Sequence, residues 1–360
     1  MAGLGYGGAR NMNAEWKNFL EGNGAEFDGT ERVVSFGNLR HELGAALNGN
    51  VFADLSHQGV LAVRGKDALE FLQGQFTNDL RHLGDGTSQL NGYCSAKGRL
   101  LASFRVIPED DGFLLRMPRA MVEPLMKKLR MFVLRAAVTL EDVGECQIHL
   151  GVSGPGAERE LGALVPTLPQ AVDGIARGGG YTVIRIPGVH PRFEVHGGLE
   201  AMRRLWDTLN VRCAPVGEAP WGLLDVLAGI PTIHPETSDA FVPQMVNLQL
   251  LGGVSFKKGC YPGQEVVARM QYLGTLKRRM YLARVLSEAP PRPGDELYSP
   301  EDGEQSAGKV VDAQPHPDGG FMLLAVIQIA SREAGDIRYG GPQGPKLEFA
   351  ELPYPLPPVE

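Results

Sequence analysis

Residues 241–269 read FVPQMVNLQLLGGVSFKKGCYPGQEVVAR, a run whose density of unusual choices is hard to explain by packing alone. Pro262 and Gly263 suit the two central positions of a type II turn over Tyr261–Gln264, where a fixed negative φ and then a positive φ are required. A short helix over 264–272 follows, with Glu265 in its first turn and Gly274 just beyond its end. Cys260 then lies in the loop immediately before a helix N-terminus, preceded by Lys257 and Lys258. Positive charge and a helix N-terminus both favour a thiolate, so this spacing predicts a depressed thiol pKa. Gly259 leaves room beside the sulfur for a ligand or partner. Two other readings stay open. A lone cysteine is most often a small buried hydrophobe, and the basic run continued by Arg269, Lys277, Arg278 and Arg279 suits an anion site or a solvated face equally well. No histidine lies near Cys260 in sequence. His190 and His196, on a predicted strand pair, read as loop or surface histidines.

Working outward, the pattern changes after residue 275. Met280–Val285, Glu296–Tyr298, Gly308–Val311, Phe321–Ile329 and Lys346–Glu351 are short strand candidates separated by Pro/Gly turns, the pattern of a small sandwich or barrel. Upstream, the apolar Val60–Val63 reads as a buried strand leading into a helix over 67–74. Asp67 and Glu70 there have capping-box spacing, and Gly74 suits the stop. Leu100–Ile107 and Gly112–Met117 read as strands and Arg119–Val133 as an amphipathic helix. Tyr181–Ile186, Arg192–Val195 and Gly198–Leu209 repeat the theme of strand, strand, helix. Strand–turn–strand–helix order predicts α+β layers, not a doubly wound parallel sheet.

A chain of 360 residues exceeds one ordinary core, so two or three domains are expected. With 43% apolar and 21% charged residues it reads as a globular protein. No window approaches eighteen uncharged apolar residues and no secretory pattern opens the chain, so the reading is cytoplasmic, with no membrane partner. The Gly-rich Met1–Arg10 reads as disordered. Cys94, Cys146, Cys213 and Cys260 form no close pair, which disfavours zinc and thioredoxin-type motifs and predicts reduced thiols, with no metal. A net charge of −7 disfavours direct nucleic-acid binding.

Lys258-Gly259-Cys260-Tyr261-Pro262-Gly263-Gln264-Glu265 matches the K-G-C-Y-x-G-Q-E signature of the YgfZ family at every fixed position. Three further segments resemble that family in the same order: Gly65–Leu80, Tyr93–Arg99 (YCSAKGR) and Pro243–Gly253; Leu352-Pro353-Tyr354 resembles its C-terminal end. The resemblance implies the fold of the glycine-cleavage T-protein: α+β, three-lobed, with two interleaved α+β lobes over 49–274 and a C-terminal β-barrel over 275–360 around a central folate-binding opening. Residues 1–48 would be an N-terminal extension. It also implies a folate-binding accessory protein, using tetrahydrofolate or a derivative, that supports assembly or repair of iron–sulfur clusters in client proteins such as a tRNA methylthiotransferase. Carried over residue by residue, Cys260 is the critical thiol, with Lys258, Tyr261, Gln264 and Glu265 as motif partners. Trp221 matches a tryptophan of the folate site and offers a stacking face for a pterin. Lys257, Lys258, Lys277, Arg278 and Arg279 are candidates for a basic rim that holds the folate's carboxylate tail.

Two departures stand out. Gln58 takes the place of a second tryptophan, and Val226-Leu227-Ala228-Gly229 lacks a carboxylate common in the family. The alternative reading is an aminomethyltransferase-like enzyme. In that relative a carboxylate orients the folate nitrogen, and the equivalent stretch here, Gly98–Ser103, contains no acid. A scaffold that only binds clients is a third class.

Overall fold

Val60–Val63 are apolar without alternation because their strand, Gln58–Arg64, is covered on both faces. In the computed structural model, which describes residues 12–300, 303 and 305–358, this strand lies within a five-stranded antiparallel sheet. Its order is Gln89–Cys94, Leu100–Glu109, Gly112–Pro118, Gln58–Arg64, Thr139–Asp142. The helices Ala68–Gln73 and Arg119–Arg130 pack on one side, burying Leu72, Met121, Leu125 and Leu129. The capping box expected at Asp67 does not form: the Asp67 carboxylate accepts instead from the Ala137 amide at 2.7 Å and ties a distant loop to this helix.

A second sheet of six strands runs Ile175–Gly178, Tyr181–Ile186, Arg192–Gly197, Ile148–Ser153, Val51–Asp54, Ala214–Val216, and only its last pair is parallel. One face packs on the helix Leu199–Leu209, where Trp206 is fully buried among Trp16, Phe19, Phe36 and Phe52. Residues 14–48 therefore do not stand apart as an extension. Trp16 and Leu20 are fully buried in this core, and the Trp16 indole N–H donates to Asp54 at 2.8 Å. Met1–Arg10 lies outside the described residues.

The other face of this sheet carries apolar residues (Val51, Ala53, Ile184, Ile186) together with a buried polar cluster. Because side chains alternate along a strand, His149, Arg192, Glu194 and His196 share it, turned toward Arg105 and Arg116 of the first sheet. Arg116 pairs with Glu194 at 2.9 Å, and His149 and His196, direct cross-strand partners, lie 4.1 Å apart. His196 is thus not a surface histidine: it is 5% exposed and His149 is 3% exposed. Burial first, then Arg116 close by, pushes the His149 imidazole down to about 3, and burial with the neighbouring His149 drives His196 the same way.

Every strand of the third sheet begins after residue 277, in the order Arg338–Tyr339, Glu296–Tyr298, Ser306–Pro315, Phe321–Gln328, Arg278–Val285, Leu347–Ala350. Its two edges meet through the antiparallel bridge Arg338–Lys346 and the Leu347 amide bonded to Ile337, so the sheet curls into a barrel and neither edge is left open there. Among the described residues no helix is long and apolar enough to cross a membrane.

Candidate functional site

Lys258 explains how the site is assembled. Its ammonium donates to the carbonyls of Gln73 (2.7 Å), Phe76 (2.5 Å) and Asn78 (3.0 Å), closing the end of the helix Ala68–Gln73. The side chain is 7% exposed, and burial lowers its pKa to about 8, so it keeps its proton at neutral pH and can serve all three acceptors. Thr77 Oγ1 donates to the Gly253 carbonyl and the Ser255 amide donates to Thr77, so residues 73–79 and 252–258 are stitched together on both sides.

The type II turn forms as its sequence predicts. The Gln264 amide donates to Tyr261 at 3.1 Å, and Gly263 has φ +78° and ψ +4°. A Cβ on Gly263 would fall 2.4 Å from the Ser95 carbonyl oxygen and 2.6 Å from Gly98 Cα. One on Gly98, itself at φ +70°, would meet Val266 Cβ at 2.8 Å. The YCSAKGR turn and the signature turn therefore press backbone to backbone, and only glycine permits the contact. The helix Gln264–Tyr272 starts at this point.

Cys260 lies on the exposed side of this junction with Lys257, Gly259 and Glu265. Tyr261 points inward at 6% exposure, its ring 5.2 Å from the Lys258 ammonium, and burial raises its phenol pKa. The Gln264 side-chain amide donates to the Lys258 carbonyl at 3.4 Å. Of the other thiols, burial pushes Cys94 up to about 12 and Cys213 up to about 11, while Cys146 is exposed on a separate loop. Lys258 is thus a structural clamp, with its charge turned onto three carbonyls. Replacing it by methionine should lower stability by about 3 kcal/mol, because the buried Phe76 carbonyl and the part-buried carbonyls of Gln73 and Asn78 lose their donor, at about 1–3 kcal/mol for a buried group and less where the loop can rewet. Urea denaturation of K258M measures this; a loss below about 1 kcal/mol would refute the clamp.

A cavity of about 530 Å³ opens between the first sheet, the helix Glu218–Leu227 and the barrel. The strand end Ser56–Gln58, the helix start Pro118–Ala120, helix residues Glu218, Gly222 and Asp225, and Asp312 and Gln314 of the barrel wall it. His234 also faces it, its Nε2 3.3 Å from Asp312, and this ion-pair partner outweighs burial and raises the His234 pKa. The strand Ser306–Pro315 bulges between Val310 and Asp312, which turns the Asp312 carboxyl out of the ladder.

None of the residues singled out around Cys260 lines this cavity. Two further expectations need correcting. Trp221 does not open onto a ligand: it is 1% exposed, Gly151 leaves the space for its ring edge, and the Arg192 guanidinium covers its face at 4.0 Å. The basic rim is broken up as well. Arg279 is 6% exposed and donates to the Pro357 carbonyl at 2.6 Å, and Lys258 is committed as above. Arg278 is half-buried, and only Lys257 and Lys277 of the five are exposed. Gln58 does line the cavity, but sequence reading missed His234, Asp225 and Asp312. Only Asp312, a lone acid inside the apolar run Val310–Ala313, left any trace in the pattern.

Residues 14–176 match the family profile of the GCVT N-terminal domain. The aminomethyltransferase T of the Bartonella henselae glycine cleavage system superposes with a TM-score of 0.79 over 96% of this chain and 98% of that one, at 18% identity. Three lobes, a central cavity and this superposition define the class: a protein of the aminomethyltransferase T fold. Two curated relatives narrow it. The tRNA-modifying protein YgfZ of Edwardsiella ictaluri is 34% identical over 294 residues, 81% of this chain and 88% of that protein. Its namesake from Colwellia psychrerythraea is 30% identical over 276 residues, 76% of this chain and 84% of that protein. The chain belongs to the YgfZ family.

Proposed function

We propose that this chain is a folate-binding accessory protein that supports assembly or repair of iron–sulfur clusters in client enzymes, tRNA-modifying ones among them, through the Cys260 thiol. The observation that carries the reading is the solvent-facing thiol on a rigid turn, held from below by Lys258 and by the Gly98–Gly263 contact. So much backbone constraint around an exposed cysteine serves to present it.

The cavity suits a folate in size, lying within the roughly 300–1,000 Å³ of small-molecule sites. Gln58, Asp225 and Gln314 offer acceptors for the N–H edge of a pterin. Tetrahydrofolate would supply a one-carbon carrier or a reducing ring there. Catalytic aminomethyl transfer is the weaker reading. Ser103, in the stretch where that enzyme has its carboxylate, bonds the Pro231 carbonyl and the Ile233 amide and cannot take up a proton at neutral pH.

Ala120 is exposed on the cavity wall, so Ala120→Trp should fill the space without disturbing the fold. Calorimetric titration should then show tetrahydrofolate binding weakened at least about tenfold, an effect of about 1.4 kcal/mol. Unchanged affinity would remove the ligand from this cavity, and no binding to the unaltered chain would remove folate.

A further inference from the structure

We propose that the face around Cys260 is a docking surface for an acidic protein segment that carries an exposed apolar side chain. The inference rests on the accessory-factor reading and deepens it by naming the chemistry of the partner.

The helix Gln264–Tyr272 is nine residues long and buries only Val267. Three apolar side chains at this helix are exposed: Val266 at 39% and Tyr272 at 66%, with Leu273 just past the end at 85%, while Ala268 and Met270 are half-buried. Phe256 meets the Tyr272 ring edge-on at 6.0 Å and joins the Cys260 loop to this apolar edge. The helix is anchored through Val267 and the Gly98 contact, and its C-terminal end is left open. A contiguous exposed apolar patch beside polar groups marks an interaction site.

Charge then selects the occupant. Residues 254–279 hold six lysines and arginines against a single acid, Glu265, in a chain whose net charge is −7. Lys258 and Arg279 are spent on carbonyls. Lys257, Arg269 and Lys277 are exposed and Arg278 half-exposed, and Lys97 is exposed on the turn that presses against Gly263. A positive rim around apolar anchors complements a negative surface with an apolar knob. A nucleic acid would use the charges but has no need of exposed leucine and valine, so protein is favoured.

The test uses the full chain with Cys146→Ser, which leaves Cys260 as the one exposed thiol among the described residues. The probes are short peptides with one cysteine blocked as a mixed disulfide with 2-nitro-5-thiobenzoate. The Cys260 thiolate attacks the peptide sulfur and a Cys260–peptide disulfide forms. The old S–S bond breaks, and thionitrobenzoate leaves with the electron pair as a coloured thiolate, so no outside oxidant is needed. An acidic peptide with a leucine should react about tenfold faster than a basic one, and salt should shrink the difference. Arg269→Glu and Leu273→Ser should each slow the acidic peptide several-fold and leave a neutral glycine peptide unchanged. Equal rates for acidic and basic peptides, or no loss in either variant, would overturn the proposal. So would an oligonucleotide disulfide reacting as fast as the acidic peptide. Failure of the accessory role appears elsewhere, as unchanged iron–sulfur enzyme activity in cells carrying Cys260→Ser, which this assay does not read.

Discussion

Replacing Cys260 by serine is expected to abolish support of iron–sulfur enzymes in a deletion strain while leaving the protein folded. The sulfur is exposed and the Lys258 clamp, the type II turn and the Gly98–Gly263 contact are made without it. Substitutions at such surface positions change stability by about 0.5 kcal/mol or less. The melting temperature should therefore match that of the unaltered chain. Activity of an iron–sulfur enzyme in complemented cells should fall to the level of the empty vector. Cys146→Ser, the other exposed thiol, serves as the control and should complement fully. A clear drop in melting temperature for Cys260→Ser would make the cysteine structural, and full complementation would remove it from the function.

The second large effect is loss of stability in mild acid. His149 and His196 are buried and neutral, and burial holds both far below the ordinary value of 6.5. As pH falls through 6.5 the unfolded chain takes up protons at both rings, and the folded chain does not until about pH 3 for His149. The unfolded state binds more protons throughout that window, so stability falls as pH falls. Each histidine contributes up to about 1.4 kcal/mol per pH unit. Between pH 6 and 4.5 His149 alone should cost about 2 kcal/mol, and His196 adds to it in the same direction, a large share of a typical total of about 5–15 kcal/mol. Buried Asp54, whose pKa is raised by burial, works in the opposite sense. Asp28 and Asp79, held at about 2, contribute mainly below pH 4. The decisive comparison is therefore the slope of urea-derived stability against pH in the double variant His149→Gln, His196→Gln. Its slope between pH 6 and 4.5 should flatten markedly. An unchanged slope would show that the histidines titrate alike in both states.

The local geometry of the site was legible in the chain because it depends on residues adjacent in sequence. Pro262-Gly263 sets its own φ values, so the turn and the start of the helix at Gln264 follow without reference to anything distant. The same holds for strands such as Tyr181–Ile186 and Glu296–Tyr298, whose side-chain patterns mark their own extent. The direction in which a long side chain points is another matter. Nothing near Lys258 reveals that its charge turns inward, because its three acceptors lie about 180 residues away in sequence and reach it only through the fold. Arg279 and Trp221 misled for the same reason: Pro357 and Arg192, which cover them, are far along the chain. The cavity is further still from any local signal, since its wall is assembled from the N-terminal loop 29–32, the first sheet, the helix Glu218–Leu227 and the barrel, and His234 gains its partner Asp312 only when the barrel docks. Backbone torsions are settled by neighbours within a few residues. Burial and pairing are settled by which distant surfaces exclude water from one another, and only the tertiary structure decides that.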